Sequence, residues 1–364
     1  MKILYMITSI NTGGAEKFSI DLANTQAQNS ANEIFLLILD KIENQPLIKT
    51  ISPKVNLISV DKKSGYSIST PFKIYKLLSK TKPDIIHFNG RDMIYASIAT
   101  ILLSIPSVYT VHSIVELFPK KMIIYNRFLF NLFPSLFVPI SISNYVKEST
   151  QKHYGKRFDM MVYNGSSPQT LSVKHKSVSN LIESLKKDKN SLVFVYVGRI
   201  TEIKNTLLLI ESFNRLLDRG ENVSLCIVGY DMSKSQSYIQ KCKKANRYPS
   251  YIKFVGQQSN VVDYFSCANA SCITSDYEGL GITLLESFSM GVPVLSTPCG
   301  GPEEIIEPKV TGAISKEKSV ESYIEILKKF ISNPIKDKAK IIDIYSKNFT
   351  METTAKKYLE IYER

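Results

Sequence analysis

Two glutamates eight positions apart, Glu278 and Glu286, are the residues of this chain whose type and spacing best suit chemistry. Glu278 follows an apolar run over residues 270–274 that predicts a buried strand. Glu286 lies in an apolar segment that predicts a helix to about Met290, because Gly291 favours a helix end. A carboxylate within so apolar a helix is costly unless it is hydrogen-bonded.

The residues between the glutamates predict an anion site. Gly279 and Gly281 allow a ligand to approach the backbone closely, and free N–H groups at a helix start favour a phosphate. Together these features suit a sugar joined to a nucleoside by phosphates. Glu278 would accept hydrogen bonds from sugar hydroxyls, and Glu286 from the ribose diol. On spacing alone, a capped helix with one exposed glutamate is an equally good interpretation.

The whole stretch from Ser275 to Val294 resembles the Glu-x7-Glu signature of the retaining glycosyltransferases of family 4, which have the GT-B fold. In that family the pattern is roughly Ser-x-x-Glu-Gly-Phe-Gly-x4-Glu-Ala-x3-Gly-x-Pro-Val. This chain departs from it at Leu280 and Ser287. The resemblance implies an α/β protein of two Rossmann-like βαβ domains facing across a cleft.

Further motifs extend this resemblance along nearly the entire chain, and the resemblance implies a role for the residues in each motif. Taken singly, these residues also have structural interpretations: the glycines as turn residues, the histidine as a structural side chain, and the basic residues as surface charges. The predicted catalytic residues are His112 beside the donor sugar, Arg199 and Lys204 at the donor diphosphate, and Glu278. The predicted donor-binding residues are Gly13, Gly14, Gly256, Gln257, Glu278, Gly279, Leu280, Gly281, Thr283, Leu284 and Glu286.

One departure lies beside the diphosphate site. The family commonly has Lys-Gly where this chain has Lys204-Asn205. We expect a minor change at the helix start and little loss of phosphate contact.

Strand candidates alternate with helical stretches, which predicts parallel sheets built from βαβ units. We expect an acceptor-binding domain over residues 1–170 and a nucleotide-sugar domain over 171–346. The polar residues 166–180 predict an interdomain linker. The resemblance implies that a last helix, within 347–364, crosses back to the first domain.

The composition of the chain limits the partners and the cellular compartment that we expect. The 364 residues carry a formal net charge of +13, but no Lys/Arg block is interleaved with aromatics, which disfavours nucleic acid as a partner. Five unpatterned cysteines predict core residues in a reducing cytoplasm. No apolar run is long enough to span a bilayer.

No Asp-x-Asp pair occurs in the sequence, although many other sugar transferases hold a metal with one. We therefore predict no metal and no cofactor, with basic side chains and a helix start stabilising the diphosphate. The resemblance implies that the departing phosphate takes the acceptor proton.

Residues 118–138 are unusually aromatic and apolar, with basic residues among them. Two interpretations stay open: a buried helix between strands, or an amphipathic helix over 118–133 on an anionic membrane surface or a lipid-linked acceptor. The second would place the protein at the inner face of the cytoplasmic membrane.

The predicted function is transfer of a sugar, from a UDP-sugar in the commonest case, to a glycan or lipid-linked acceptor in cell-surface polysaccharide synthesis. The alternatives are a sugar-nucleotide epimerase of the same architecture and a non-catalytic nucleotide-sugar-binding protein.

Overall fold

The structure, a computed structural model, describes residues 1–11, 13–42, 45, 47–62, 65, 67–231 and 235–363. The chain divides into two compact units. Unit 1 comprises Met1–Ser167 together with Phe349–Arg364, and unit 2 comprises Pro168–Asn348. Each unit contains one six-stranded parallel sheet with helices.

The sheet of unit 1 has the strand order β3-β2-β1-β4-β5-β6. Its strands are mostly apolar and buried on both faces, as parallel strands covered by helices must be. Its elements are β1 (Lys2–Ile7), α1 (Gly14–Gln26), β2 (Glu33–Ile38), β3 (Asn56–Ser59), α2 (Ser69–Thr81), β4 (Ile85–Phe88), α3 (Met93–Leu102), β5 (Ser107–Val111), α4 (Lys120–Leu132), β6 (Phe137–Ser141) and α5 (Asn144–Tyr154).

Chain direction decides which face of this sheet each helix covers. Helix α1 connects β1 to β2 in one direction across the sheet, whereas α2, α3 and α4 connect β3, β4, β5 and β6 in the other. Because such crossovers are almost always right-handed, α1 covers one face and α2, α3 and α4 form a layer on the opposite face.

The sheet of unit 2 has the order β12-β11-β10-β7-β8-β9. Every residue of its strand Val223–Val228 is buried. Its elements are α6 (His175–Ser184), β7 (Leu192–Val197), α7 (Thr206–Asp218), β8 (Val223–Val228), α8 (Ser237–Ala245), β9 (Ile252–Gly256), α9 (Val261–Ser266), β10 (Ala270–Ile273), α10 (Ile282–Ser289), β11 (Val294–Ser296), β12 (Gly312–Ile314), α11 (Val320–Ser332) and α12 (Lys338–Asn348).

The last helix, α13 (Met351–Tyr362), belongs to unit 1 and packs against α1. Its two buried tyrosines reach polar side chains of the central strands. The Tyr358 hydroxyl lies 2.9 Å from Thr110 Oγ1, and the Tyr362 hydroxyl lies 2.5 Å from His87 Nδ1. These hydrogen bonds connect the end of the chain to the core of the first sheet.

One sequence-based prediction is wrong. Residues 166–180 are not a linker throughout, because α6 begins at His175. Val178 and Ile182 on this helix are buried in an apolar cluster of unit 2. The surrounding Lys and Ser residues conceal this periodicity in the sequence.

Segment 118–138 forms α4 and the start of β6. Met122, Leu129 and Phe130 are buried, whereas Ile124 and Phe128 are exposed. No helix in the described part of the chain is both long and apolar enough to span a membrane.

Candidate active site

The carboxyl edge of the unit 2 sheet collects most of the predicted site residues. Arg199 follows β7, Gln257 follows β9 and Glu278 follows β10. Strands β10 and β7 are adjacent in the order β10-β7-β8-β9, and β8 separates β7 from β9. Ligands bind at this edge in parallel sheets, so the fold places these side chains where a nucleotide site is expected.

Lys204 and Glu278 form an ion pair, Nζ to Oε1, that sequence reasoning did not predict. Ser275 Oγ donates a second hydrogen bond to Glu278 Oε1 at 2.7 Å. The two charged side chains are only 20% and 14% exposed, so solvent screens the pair weakly. Residues assigned separately to diphosphate and sugar are therefore in direct contact.

Backbone contacts join the two loops that carry this pair. The Asp276 N–H donates to the Ile203 carbonyl at 2.7 Å. The Thr274 hydroxyl donates to the Lys204 carbonyl at 3.1 Å. These bonds fix the spacing of Lys204 and Glu278 without requiring a ligand.

The segment after β11 holds the Glu278 loop from its other side. The Glu278 N–H donates to the Cys299 carbonyl at 2.8 Å, and the Gly301 N–H donates to the Glu278 carbonyl at 3.0 Å. A Cβ at Gly301 would lie 2.2 Å from the Gly279 carbonyl oxygen, so only glycine fits. The glycine at position 301 is therefore required by its close packing against the loop that carries Glu278.

Helix α10 begins at Ile282, directly after Gly281. Gly281 precedes the helix with a φ of 90°, which favours glycine. Thr283 in the first turn is partly exposed, whereas Leu280 and Leu284 are buried. The Leu284 N–H already donates to the Gly281 carbonyl at 3.0 Å, which leaves the N–H groups nearer the helix start for an anion.

Glu286 is 3% exposed on the same helix. Its position is the one predicted, a carboxylate within the apolar part of α10. Arg199 and Gln257, by contrast, are exposed at the sheet edge, as is Gly256.

Asn205 occupies the position after Lys204 at which the family commonly has glycine. It adopts a left-handed conformation, with φ 46° and ψ 45°, directly before α7. Asparagine tolerates this region better than most side chains. Asn205 thus adopts the left-handed conformation that precedes α7, and the expected small effect on phosphate contact stays a prediction.

In unit 1, His112 follows β5 directly. Its Nε2 lies 3.0 Å from Asn89 Oδ1, and its ring meets the edge of Phe18 at a centroid distance of 5.2 Å. Desolvation by the surrounding protein lowers the pKa of His112 to about 3. The imidazole is thus neutral at physiological pH.

His112 lines a pocket of about 210 Å³, which also includes Asn89 and the residues that lead into α4, among them Phe118 and Met122. The site on unit 1 therefore extends from the end of β5 to the first turn of α4.

A second cleft of about 290 Å³ shares Asn89 with this pocket and also contains Ser9, Glu16 and Asp92. Asp92 is 1% exposed, and burial raises the pKa of its carboxyl to about 8. Sequence reasoning missed Asp92. The pair Asn89-Gly90, directly after β4, was the only sequence feature that indicated a functional loop here. The predicted residue Gly14 begins α1, and Gly13 precedes it.

The described residues contain no group of three or more His, Cys, Asp or Glu placed to hold a metal ion. The absence of a metal requirement stays a prediction.

Comparison with known proteins follows the same division of the chain. A family model described as Glycosyltransferase Family 4 matches residues 12–168. One described as Glycosyl transferases group 1 matches residues 177–348. The chain belongs to glycosyltransferase family 4. The family predicted from the motifs is therefore confirmed, and the protein is a transferase.

Individual members of the family are similar at low identity. The capsular polysaccharide biosynthesis glycosyltransferase CapH of Staphylococcus aureus is 23% identical over 375 residues, covering 100% of this chain and 98% of CapH. The lipopolysaccharide 1,6-galactosyltransferase of Salmonella typhimurium is 27% identical over 206 residues, covering 52% of this chain and 57% of that enzyme.

The crystal structure of Anabaena HepE in complex with UDP and glucose matches with a TM-score of 0.82 at 21% identity, over 100% of this chain and 99% of HepE. This likeness confirms the predicted fold class, two Rossmann-like α/β domains of the GT-B type.

Proposed function

We propose that this glycosyltransferase moves a sugar from a UDP-sugar to a glycan or lipid-linked acceptor, with retention of anomeric configuration and without a metal. The Lys204–Glu278 pair beside the start of α10 carries this proposal. It combines a cation for phosphate, a carboxylate for hydroxyls and a helix start at one sheet edge. The crystal structure of HepE with UDP and glucose supports UDP as the nucleotide of the donor.

In this proposal the positive groups of unit 2 stabilise the leaving diphosphate. Lys204, held by its pair with Glu278, and the first N–H groups of α10 are fixed before reaction, so they stabilise developing negative charge without rearrangement. The exposed Arg199 adds a second cation at the same sheet edge. Glu286 accepts from the ribose diol, and Glu278 accepts from sugar hydroxyls. Gly256 and Gln257 contact the base, and Gly13 and Gly14 are assigned to donor binding by the family motif.

The reaction forms a bond between the acceptor oxygen and the anomeric carbon while the bond from that carbon to the diphosphate oxygen breaks. The acceptor attacks from the side that the diphosphate leaves, and a phosphate oxygen takes the hydroxyl proton. His112, being neutral, contributes a hydrogen bond to the donor sugar rather than a charge.

We propose further that the acceptor belongs to a cell-surface polysaccharide and is carried on a lipid. The names of CapH and the Salmonella enzyme support such a pathway class. The protein would then work in the cytoplasm, at the inner face of the membrane, through residues 118–133. The exposed Ile124 and Phe128 of α4 support this contact.

The test is incubation of the full chain with UDP-, GDP- and other nucleotide-sugars and lipid-linked or free glycan acceptors, with and without excess EDTA. We expect sugar transfer from one UDP-sugar, with the anomeric configuration kept and the rate unchanged by EDTA. Interconversion of sugar isomers would instead indicate an epimerase, and binding without turnover a non-catalytic protein. Loss of activity in EDTA that Mg²⁺ or Mn²⁺ restores would overturn the metal-free mechanism.

A further inference from the structure

The exposed large apolar side chains of unit 1 are concentrated between residues 68 and 132. Among the described residues of unit 1, none lies on α1 or α13, which cover the other side of the sheet. Such clustering is unlike the scattered apolar surface of ordinary soluble proteins. The residues are Ile68, Phe72, Tyr75, Ile94, Ile98, Leu102, Leu117, Ile124, Phe128 and Leu132.

These side chains lie on or next to one helix layer, that of α2, α3 and α4. Helix α2 packs against α3, and Ser97 Oγ of α3 is hydrogen-bonded to the Tyr125 hydroxyl of α4. We call the outward surface of this layer the α2–α4 face.

Helix α3 lies in the middle of this layer and is its most apolar member. Ile94, Ile98 and Leu102 are spaced by four residues and are 39%, 62% and 68% exposed. Positions spaced by four lie on one side of a helix. The sheet-facing side of α3 is buried, so this row points outward.

The charges of the same three helices all have one sign. Helices α2, α3 and α4 contain no Asp or Glu, and α3 contains no charged residue. The basic residues are Lys73, Lys76, Lys80, Lys120, Lys121 and Arg127. In α1 and α13 the charges are mixed: Glu16, Asp21, Glu352 and Glu360 against Lys17, Lys356 and Lys357.

Two acidic residues, one before α3 and one before α4, leave the positive charge of the face in place. Asp92, before α3, is buried. Glu116, before α4, accepts a hydrogen bond from Lys152 Nζ at 3.0 Å, and its pKa is lowered to about 2.

We propose that the α2–α4 face binds the surface of an anionic lipid bilayer. The charge-free α3 lies at the headgroup boundary, and the basic residues of α2 and α4 contact anionic headgroups on either side. A protein partner fits less well, because protein interfaces are depleted in lysine and this face has five. The inference rests on the membrane setting proposed above and assigns the contact to α2 and α3 as well as α4.

The experiment is flotation of the full chain with vesicles of phosphatidylcholine containing phosphatidylglycerol, and with pure phosphatidylcholine, at low and high salt. We expect binding to the anionic vesicles at low salt only. Ile98→Glu should lower the partition coefficient about tenfold or more, because it places a charge at the centre of the face. Lys80→Ala should lower it about fivefold, the effect of one basic residue near an anionic surface.

Two matched variants serve as controls. Ile342→Glu makes the same change on α12 of unit 2, where the side chain is 39% exposed. Lys356→Ala removes a lysine from α13, on the other side of the unit 1 sheet. Both should bind vesicles as the wild type does, and Ile98→Glu should keep wild-type turnover with a water-soluble acceptor, which shows that it is folded.

Three results would overturn the proposal. If only Phe128→Glu reduces binding, the contact is confined to α4, and the proposal for 118–133 survives alone. If the wild type does not float at low salt, both membrane proposals fail. If Ile98→Glu instead dissociates a dimer in sedimentation, a second copy covers the face. Flotation without sugar transfer would contradict the proposed enzymatic function but not this inference.

Discussion

The two six-stranded sheets have the same architecture, but their carboxyl edges differ in charge. The edge of the unit 2 sheet carries Arg199 and the Lys204–Glu278 pair, with Glu286 nearby on α10. The edge of the unit 1 sheet carries His112, which is neutral because burial lowers its pKa to about 3, and the clefts beside it also contain Glu16 and Arg91. The unit 2 edge therefore presents a directly paired lysine and glutamate, whereas the unit 1 edge presents a neutral imidazole in a pocket that Arg91 also lines. One fold supports both because the loops, rather than the strands, supply the chemistry.

The largest expected effect on activity comes from removing a basic side chain from the carboxyl edge of the unit 2 sheet. Arg199→Ala and Lys204→Ala should each lower kcat/KM about 100-fold, the scale of losing one preorganised charge contact. Lys204→Ala should be the more damaging, because it also leaves the mostly buried Glu278 carboxylate without its ion-pair partner.

Steady-state kinetics with the identified donor measures both variants. Lys253→Ala removes an exposed lysine from β9 and should change kcat/KM less than about twofold. Equal losses in all three variants would show that net charge, rather than this edge, matters.

Glu278 and Glu286 of unit 2 are proposed to bind different parts of the donor, and this difference can be measured. Glu278→Gln should reduce turnover more than binding of free UDP, because its proposed partner is the sugar. Glu286→Gln should weaken UDP binding itself by about 1–3 kcal/mol, since a buried charged hydrogen bond to the ribose is lost. Calorimetric titration with UDP distinguishes the two, and equal affinity losses would mean that the roles are misassigned.

The smallest expected effect is that of His112, and it tests whether this imidazole is neutral. Its pKa is lower in the folded chain than the unfolded value of about 6.5, so the unfolded state takes up the proton first as pH falls. The stability gained from the neutral imidazole is complete above about pH 6.5 and is lost as pH falls towards 3.

Urea denaturation of wild type and His112→Gln at pH 7 and pH 5 measures this contribution. The wild type should lose about 1 kcal/mol more than the variant, allowing for partial exposure of the ring. The difference between the two proteins removes the contribution of Asp92, which titrates in both, and it includes the electrostatic effect of His112 on the pKa of His87. An identical pH dependence would show that His112 is not held neutral.

Much of the local structure follows from the sequence. The short apolar runs Ser107–Val111 and Leu192–Val197 predict strands, and the structure has strands with these same bounds. Gly281 and Gly291 mark the ends of α10, because glycine takes the positive φ that these positions need. The order of the motifs along the chain was sufficient to assign the family.

Contacts between distant segments required the tertiary structure. Lys204 and Glu278 are far apart in sequence, and their pairing depends on β7 and β10 being neighbours. The low pKa of His112 depends on desolvation by side chains such as Phe18, which no local pattern reveals. The apolar and basic α2–α4 face depends on crossover handedness, which brings three separate helices into one layer. Sequence thus determined the elements and the residue types at their ends, whereas strand order and packing decided which residues meet and in which charge state.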